Sequence, residues 1–147
     1  YEDFAVGHIY EHTPGRTILD SDNVWFTLLT MNPNPIHFDA VYASKTEFGK
    51  ILVDSTFTLA LVTGLSVNDM SRNAINLGWD NVRLPNPVFH GDTITARSTV
   101  LSQRESNSRP HMGIIRFETS GINQHRTTVI TFERTIMVYK RDHAPTK

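Results

Sequence analysis

Hydrophobic and polar positions follow two different periods along this chain, and the change of period separates helical segments from strands. Between Asp54 and Asn68 no side chain is charged, and Phe57 and Leu61 recur at helical spacing while other apolar residues fill the remaining faces. We therefore expect a central helix that the rest of the chain covers on all sides. Asp54 or Ser55 is expected to cap its first turn, and the segment is too short to cross a bilayer.

Strand-like alternation begins after Asn68. The predicted strands cover residues 74–84, 93–104, 112–122 and 128–141, and the last two form a hairpin through residues 123–126. Apolar side chains on one face are Ile94, Ala96 and Val100 in the second of these strands and Ile130, Phe132, Ile136 and Val138 in the last. Such strands need an apolar cover, which the central helix provides. The sequence predicts an α+β fold over residues 1–147, a single domain with a curved antiparallel sheet wrapped around one long central helix.

The N-terminal part of the chain is predicted to contain a loop and a second helix. Residues 1–16 form the loop, with an extended segment at residues 8–12 and a turn at residues 13–15. Asp20 or Ser21 is expected to cap the helix. Its apolar stripe consists of Val24, Trp25, Leu28 and Leu29.

His37 is the first candidate for chemistry, because it follows the segment Asn32-Pro33-Asn34-Pro35 rather than lying in a periodic element. Two prolines make that segment a rigid loop, and histidine can pass a proton in either direction near neutral pH. A loop histidine that only hydrogen-bonds the backbone is the alternative. Asn32 and Asn34 can orient water or polarise a carbonyl, or they serve as turn residues. Asp54 is either a helix cap or a carboxylate partner of His37, and the same choice applies to Asp39.

Composition excludes several classes of function. A net charge of −1 without a run of Lys or Arg argues against a nucleic-acid binder, and the absence of Cys excludes disulfides and thiolate catalysis. It also fits a reducing compartment, so we expect a cytoplasmic protein. His8 and His12 lie four residues apart without a third ligand, so no metal site is expected. Arg83 and Lys140 are solvated charges of the strand faces or contacts for a phosphate group.

One stretch carries a resemblance to a known family. The residues Phe26-Thr-Leu-Leu-Thr-Met-Asn-Pro-Asn-Pro-Ile-His37-Phe-Asp-Ala-Val-Tyr-Ala43 resemble the signature of the MaoC-like, or R-specific enoyl-CoA hydratase, family. The similarity extends over nearly the whole chain, through Gly91-Asp92-Thr93 to Met137-Val138. Where the R-specific hydratases carry a catalytic Asp, this sequence has Asn32, preceded by Met31 instead of Gly. With Asn32, and a central helix that opens without His-Gly, the sequence is most similar to the mesaconyl- or itaconyl-CoA hydratase branch.

The resemblance implies a hot-dog fold and reversible hydration of an α,β-unsaturated acyl-CoA thioester. His37 would position and deprotonate water, and Asn32 would hold that water by a hydrogen bond. Negative charge on the thioester oxygen would meet backbone N–H groups near Ser55 and Thr56 at the helix start. The remaining expected substrate contacts are Asn34 and Asp54.

The resemblance also implies partners and excludes others. The substrate is an acyl-CoA, short or dicarboxylic, whose phosphates Arg83 and Lys140 are expected to contact. No metal or other cofactor is required, because coenzyme A enters as part of the substrate. A homodimer, or a higher oligomer built from dimers, is expected from edge-to-edge pairing of two sheets. Neither nucleic acid nor a membrane is an expected partner.

Two other functions fit the same site. A thioesterase would hydrolyse the thioester at the same helix terminus and release free coenzyme A. A non-catalytic acyl-CoA-binding or regulatory protein would keep the pocket without turnover. Replacement of His37 by Ala distinguishes these, because an enzyme loses turnover by orders of magnitude whereas a binding protein loses only affinity.

Overall fold

Five antiparallel strands form one sheet in this computed structural model, which describes residues 1–145. The strands are β1 (Ile9–Thr17), β2 (Ala74–Arg83), β3 (Thr93–Glu105), β4 (Met112–Ile122) and β5 (Thr128–Tyr139). Their order across the sheet is β1-β3-β4-β5-β2, so β1 and β2 form its two edges. The four strands predicted after residue 73, and the hairpin between the last two, are therefore confirmed.

Alternate residues of the sheet face the core as predicted. The inward residues of β3 are at most 1 % exposed: Ile94, Ala96 and Val100. The predicted apolar face of β5 is also buried: Ile130, Phe132, Ile136 and Val138. Arg134 lies between them and is only 5 % exposed, which the apolar pattern did not predict. The inner face of the sheet therefore buries one guanidinium group among hydrocarbon side chains.

The helices are α1 (Asp20–Leu29), α2 (Ala40–Ala43) and α3 (Ser55–Leu65), and α3 is the predicted central helix. It packs against β1, β3 and β4, and Asp54 caps it as predicted. Within a single chain the expectation that α3 is covered on all sides is wrong. Thr58 and Val62 are buried, but Ser55, Thr56 and Ala60 are exposed, because they lie on the side away from the sheet. Across residues 1–145, no helix is long and apolar enough to span a membrane.

Helix α1 is oriented differently from its apolar pattern. Its buried residues are Asn23 and Thr27, whereas three members of the predicted apolar stripe are more than 60 % exposed: Trp25, Leu28 and Leu29. The cap is also different, because Asp20 and Ser21 lie inside the first turn. Leu19 occupies the N-cap position, and the Asp22 carboxylate accepts its N–H at 2.9 Å. A polar face therefore packs inward, where it reaches the candidate site.

The turn predicted at residues 13–15 is wrong, because β1 runs through these residues as a strand with a bulge. The pairing of β1 with β3 shifts register between His12 and Arg16. Gly15 allows this, since a Cβ atom there would lie 2.8 Å from Cγ2 of Thr95. Pro14 is tolerated because β1 is an edge strand.

Candidate active site

His37 is held in one tautomer by the backbone. It ends a short 3₁₀ turn, Pro35–His37, is 7 % exposed, and its Nδ1 lies 2.8 Å from the Leu52 carbonyl oxygen. A carbonyl only accepts hydrogen bonds, so Nδ1 carries a proton, and in the neutral ring Nε2 therefore keeps its lone pair. No residue in the described part of the chain hydrogen-bonds Nε2. His37 can therefore act as a general base through Nε2.

Asn32 is fixed at both ends of its amide. Its Nδ2 donates to Oδ2 of Asp54 at 2.5 Å, and its Oδ1 accepts the backbone N–H of Asn34 at 3.1 Å. The Asp54 carboxylate can only accept and the Asn34 N–H can only donate, so the Asn32 amide cannot be turned over to exchange its oxygen and nitrogen. One N–H and one lone pair of Asn32 remain for another ligand.

Asp54 is a buried carboxylate whose pKa lies below its ordinary value. Burial, with 3 % exposure, raises the pKa, but hydrogen bonds from Thr56 and Asn32 and from the backbone N–H groups of Phe57 and Thr56 outweigh it. Oδ1 accepts Thr56 N at 2.7 Å, Thr56 Oγ1 at 2.5 Å and Phe57 N at 3.2 Å. Asp54 is thus ionised at neutral pH. The Asp54 carboxylate accepts a hydrogen bond from Asn32 and caps α3. It forms no hydrogen bond with His37, whose Nδ1–H donates to the Leu52 carbonyl oxygen instead.

The first turn of α3 offers fewer free N–H groups than the sequence suggested. The N–H groups of Thr56 and Phe57 bind the Asp54 carboxylate, so the expectation of a free N–H at Thr56 is wrong. Ser55 N has no hydrogen-bond partner among residues 1–145. Ser55 is therefore the remaining first-turn donor for a developing oxyanion.

Asn23, which the sequence analysis missed, connects the parts of the site. It is 0 % exposed, and its Nδ2 donates to the His37 carbonyl at 2.9 Å and lies 3.3 Å from the Leu52 carbonyl. Its Oδ1 accepts the backbone N–H of Asp54 at 2.9 Å. The only signal in the sequence was an Asn on the polar side of an amphipathic helix, which ordinarily faces solvent.

Behind Asn23 lies a second histidine. His90 Nε2 is 3.1 Å from Asn23 Nδ2, and His90 Nδ1 is 3.1 Å from Oδ1 of Asp20. The turn before Gly91-Asp92 carries this side chain, and an isolated bridge between Leu52 and Phe89 holds that turn beside the site. A polar chain therefore runs from the surface at Asp20 to the backbone of His37.

Other predicted residues lie around or away from this cluster. Asn34 is exposed and its Oδ1 accepts the N–H of Ile36, so it acts as the cap of the 3₁₀ turn. Asp39 caps α2 as predicted. Arg83 ends β2 opposite Thr131 of β5, whereas Lys140 follows the far end of β5 and pairs with Glu105. At about 3.3 Å per residue the two cations are roughly 30 Å apart, so the structure does not bring them together.

His8 and His12 do not form a chelating pair. His12 is buried, with Nδ1 2.6 Å from Asp69 Oδ2 and Nε2 2.8 Å from Ser98 Oγ, so both ring nitrogens are occupied. Within the described residues, no three His, Asp or Glu side chains gather in a metal-binding geometry.

Two open grooves reach the cluster. One, of about 300 Å³, is lined by Ser55, Thr58 and the segment around Pro87. The other, of about 530 Å³, lies between α1 and the loop carrying Asn32 and is walled by Leu28 and Phe38. Both volumes lie in or near the range of small-ligand sites. Ser55 and Asn32 each line one of them, so a ligand can approach the cluster from two sides.

The chain is similar to known proteins over nearly its whole length. The protein family described as Mesaconyl-CoA hydratase matches residues 1–147. A Mesaconyl-CoA hydratase of Cereibacter sphaeroides is 33% identical over 145 residues, covering 98% of this chain and 42% of that protein. For the Mesaconyl-CoA hydratase of Haloarcula marismortui the identity is 32% over 148 residues, covering 99% of this chain and 41% of that protein. The chain thus spans about two fifths of the length of these relatives.

A solved structure supports the fold. The MaoC-like dehydratase from Rhodospirillum rubrum superposes with a TM-score of 0.84 at 26% identity, covering 95% of this chain and 96% of that one. The hot-dog fold implied by the resemblance is therefore confirmed. Since the family match and the similarity to the relatives extend over the whole chain or nearly so, the chain belongs to the mesaconyl-CoA hydratase family.

Proposed function

We propose that the protein catalyses the reversible addition of water to the double bond of an α,β-unsaturated acyl-CoA thioester. The observation that carries the proposal is His37, buried, with Nδ1–H bound to Leu52 and the Nε2 lone pair free. It lies in one cluster with a helix terminus whose Ser55 N–H has no partner in residues 1–145. A base beside an oxyanion donor suits attack of water on a conjugated thioester.

The reaction needs one proton carrier. Water attacks the β carbon while Nε2 of His37 takes its proton, and the electron pair of the double bond moves to the thioester oxygen. The Ser55 N–H and the helix dipole stabilise that oxygen. The α carbon then takes the proton from Nε2, which restores the thioester and neutral His37. Atoms and charge balance without a second acid.

Asn32 takes a role that matches its chemistry. An amide cannot accept the proton of water, but its spare N–H or lone pair can orient the water molecule toward His37. The Asp54 carboxylate keeps the amide in place and stays ionised. The proton therefore passes through His37 alone.

The substrate is proposed to be short or dicarboxylic, of the mesaconyl or itaconyl type. The support for this choice is the similarity to two Mesaconyl-CoA hydratases at 32–33% identity. Arg83, which is exposed at the end of β2 beside the groove at Ser55, is the proposed phosphate contact. Lys140 follows the other end of β5 and pairs with Glu105, so it is not proposed as a contact for the same coenzyme A molecule.

A homodimer is part of the proposal. Edge strand β2 pairs only with β5 within the described chain, and its exposed apolar residues are Ile75, Leu77 and Trp79. Pairing of two β2 edges would satisfy the free backbone groups and cover these side chains. Light scattering after size-exclusion chromatography should give the mass of a dimer, and Leu77→Lys should lower it. A wild-type monomer at micromolar concentration would contradict this part.

An absorbance assay tests the activity. Purified protein is mixed separately with crotonyl-, mesaconyl- and itaconyl-CoA, and loss of the conjugated thioester is followed in the presence of a thiol reagent. We expect loss of conjugation without thiol release, fastest with mesaconyl- or itaconyl-CoA. Thiol release would identify a thioesterase instead. Binding of all three esters without reaction would identify a non-catalytic acyl-CoA-binding protein.

A further inference from the structure

The hydrogen bonds around Asn23 assign a protonation state to His90. The amide group of Asn23 cannot turn over, because its Oδ1 accepts the Asp54 N–H at 2.9 Å. Its Nδ2, which is a donor, therefore lies 3.1 Å from Nε2 of His90. An amide nitrogen accepts no hydrogen bond, so the contact between Asn23 Nδ2 and His90 Nε2 is a hydrogen bond only when Nε2 is unprotonated. The proton of the ring then lies on Nδ1, which faces the Asp20 carboxylate.

A proton on Nε2 of His90 would disturb the candidate base. Two donors would then face each other across 3.1 Å, and Asn23 could keep its hydrogen bonds only to the carbonyls of His37 and Leu52. The Leu52 carbonyl already accepts Nδ1–H of His37 at 2.8 Å. Added competition for this oxygen weakens the contact that fixes the His37 tautomer.

The surroundings of His90 contain groups of both signs. Asp20 contacts its Nδ1, Asp22 lies close enough to interact with its charge, and Lys50 lines the same surface cavity. The pKa of Asp22 is lowered, chiefly by its hydrogen bonds with Arg16, so this carboxylate keeps its charge near neutral pH. Histidine is the side chain that ordinarily changes charge near neutral pH. His90 is the histidine of this group, and its protonation state decides whether its Nε2 can accept a hydrogen bond from Asn23.

We propose that Asn23 is a positioning residue for His37, and that it does so only while His90 is neutral. The site would then contain two histidines that must both be neutral, with the proton on Nδ1: His37 as the base and His90 as the acceptor that orients Asn23. This inference rests on the proposed hydratase function for its kinetic test, but the tautomers themselves are properties of the free protein.

The kinetic test is the pH dependence of kcat/KM on the acid side. With two neutral histidines required, log kcat/KM should fall with a slope approaching two in wild type. His90→Gln supplies an oxygen that accepts from Asn23 and does not titrate, so its slope should be one. The control His125→Gln removes an exposed histidine of the β4–β5 loop and should keep the wild-type slope. Equal slopes of one in wild type and His90→Gln would overturn the proposal.

A second test does not depend on activity. Nitrogen-15 NMR of the histidine side chains at alkaline pH should show an unprotonated Nε2 in both His37 and His90. On acidification, the Nδ1–H signal of His37 should change in two steps in wild type, one with its own protonation and one with that of His90. Only the step of its own protonation should remain in His90→Gln. A protonated Nε2 of His90 at alkaline pH would refute the assignment. If the NMR result holds but no thioester is hydrated, only the proposed function fails.

Discussion

The two ends of α3 each hold a buried charge that complements the helix dipole. At the first turn the Asp54 carboxylate accepts the N–H groups of Thr56 and Phe57. At the last turn the Arg134 guanidinium lies 3.4 Å from Oγ of Ser66, the C-cap residue. Negative charge is favourable at a helix N-terminus and positive charge at a C-terminus. The same electrostatic arrangement therefore occurs at both ends.

The ends differ in what their spare hydrogen-bond donors face. Around Asp54, Asn32 keeps a spare N–H and Ser55 N has no partner in the described residues. Around Arg134, Nε binds Asn76 at 2.6 Å, and the rings of Trp79 and Phe117 lie 6.0 and 5.9 Å from the guanidinium. A buried charge by itself does not indicate a functional site. Spare donors that line an open groove, as those of Ser55 and Asn32 do, indicate one.

The largest predicted effect is at the N-terminal end of α3, where His37 lies. His37→Ala removes the base, so kcat should fall by about 10² to 10⁴, the usual contribution of a positioned acid or base. Steady-state kinetics with the preferred thioester measures the loss. Circular dichroism and thermal unfolding serve as the control, since the imidazole of His37 makes only one hydrogen bond within the described chain. A variant that binds esters and reacts as fast as wild type would remove His37 from the mechanism.

At the C-terminal end of α3, around Arg134, we expect a loss of stability with little change in turnover. Arg134→Ala leaves a cavity and removes the donors that bind Asn76 and Ser66, so the free energy of unfolding should fall by about 2–4 kcal/mol. Turnover per folded molecule should stay within about twofold. Urea unfolding and kinetics at low temperature measure both quantities. A large loss of kcat in fully folded Arg134→Ala would show that the two ends do not have separate roles.

Exchanging the side chains of Asn32 and Asp54 tests their hydrogen bond at the N-terminal end of α3. Asn32→Asp places a second carboxylate where the amide now lies, 2.5 Å from Asp54, so both stability and activity should fall. Adding Asp54→Asn restores one amide and one carboxylate. A double-mutant cycle should give a coupling free energy of about 1–3 kcal/mol. Additive effects of the two substitutions would argue that the pair is not coupled.

The smallest effect concerns the pH dependence of stability. The pKa of Asp54 is lower in the folded protein than in the unfolded chain, so its ionised form stabilises the fold above the unfolded pKa, about 4. That stability is lost as the pH falls through the lower, folded pKa. Urea unfolding of wild type and Asp54→Asn from neutral to acidic pH should show a difference that shrinks on acidification. A constant difference would mean that the charge of Asp54 does not contribute.

Sheet and central helix were predictable because each follows a single periodic pattern. Four strands, the hairpin, the Asp54 cap and the position of His37 after a rigid loop all depend on neighbouring residues. For the site, such local signals predicted which residues belong to it but not which of them contact each other. Asn32 and Asp54 were expected in the site, but their mutual hydrogen bond depends on how the loop packs against α3.

What the sequence could not predict depends on distant contacts. Asn23 and His90 meet although 67 residues separate them, and neither lies in a local motif. Helix α1 turns its polar face inward because the partners of Asn23 lie there, which contradicts the ordinary rule for amphipathic helices. The strand that replaces the predicted turn at residues 13–15 depends on pairing with β3.

The strand order also determines when the site can form. Edge strand β1 pairs with β3, which follows all three helices and β2 in the chain, and β2 pairs with the last strand, β5. Such non-local pairing closes long loops and is typical of folding on a millisecond-to-second time scale. During synthesis β1, α1, the His37 loop and α3 emerge before His90 and before β3 and β4, which also pack against α3. A ribosome-bound chain therefore completes the site only after residues 74–139, which form β2 to β5, have emerged.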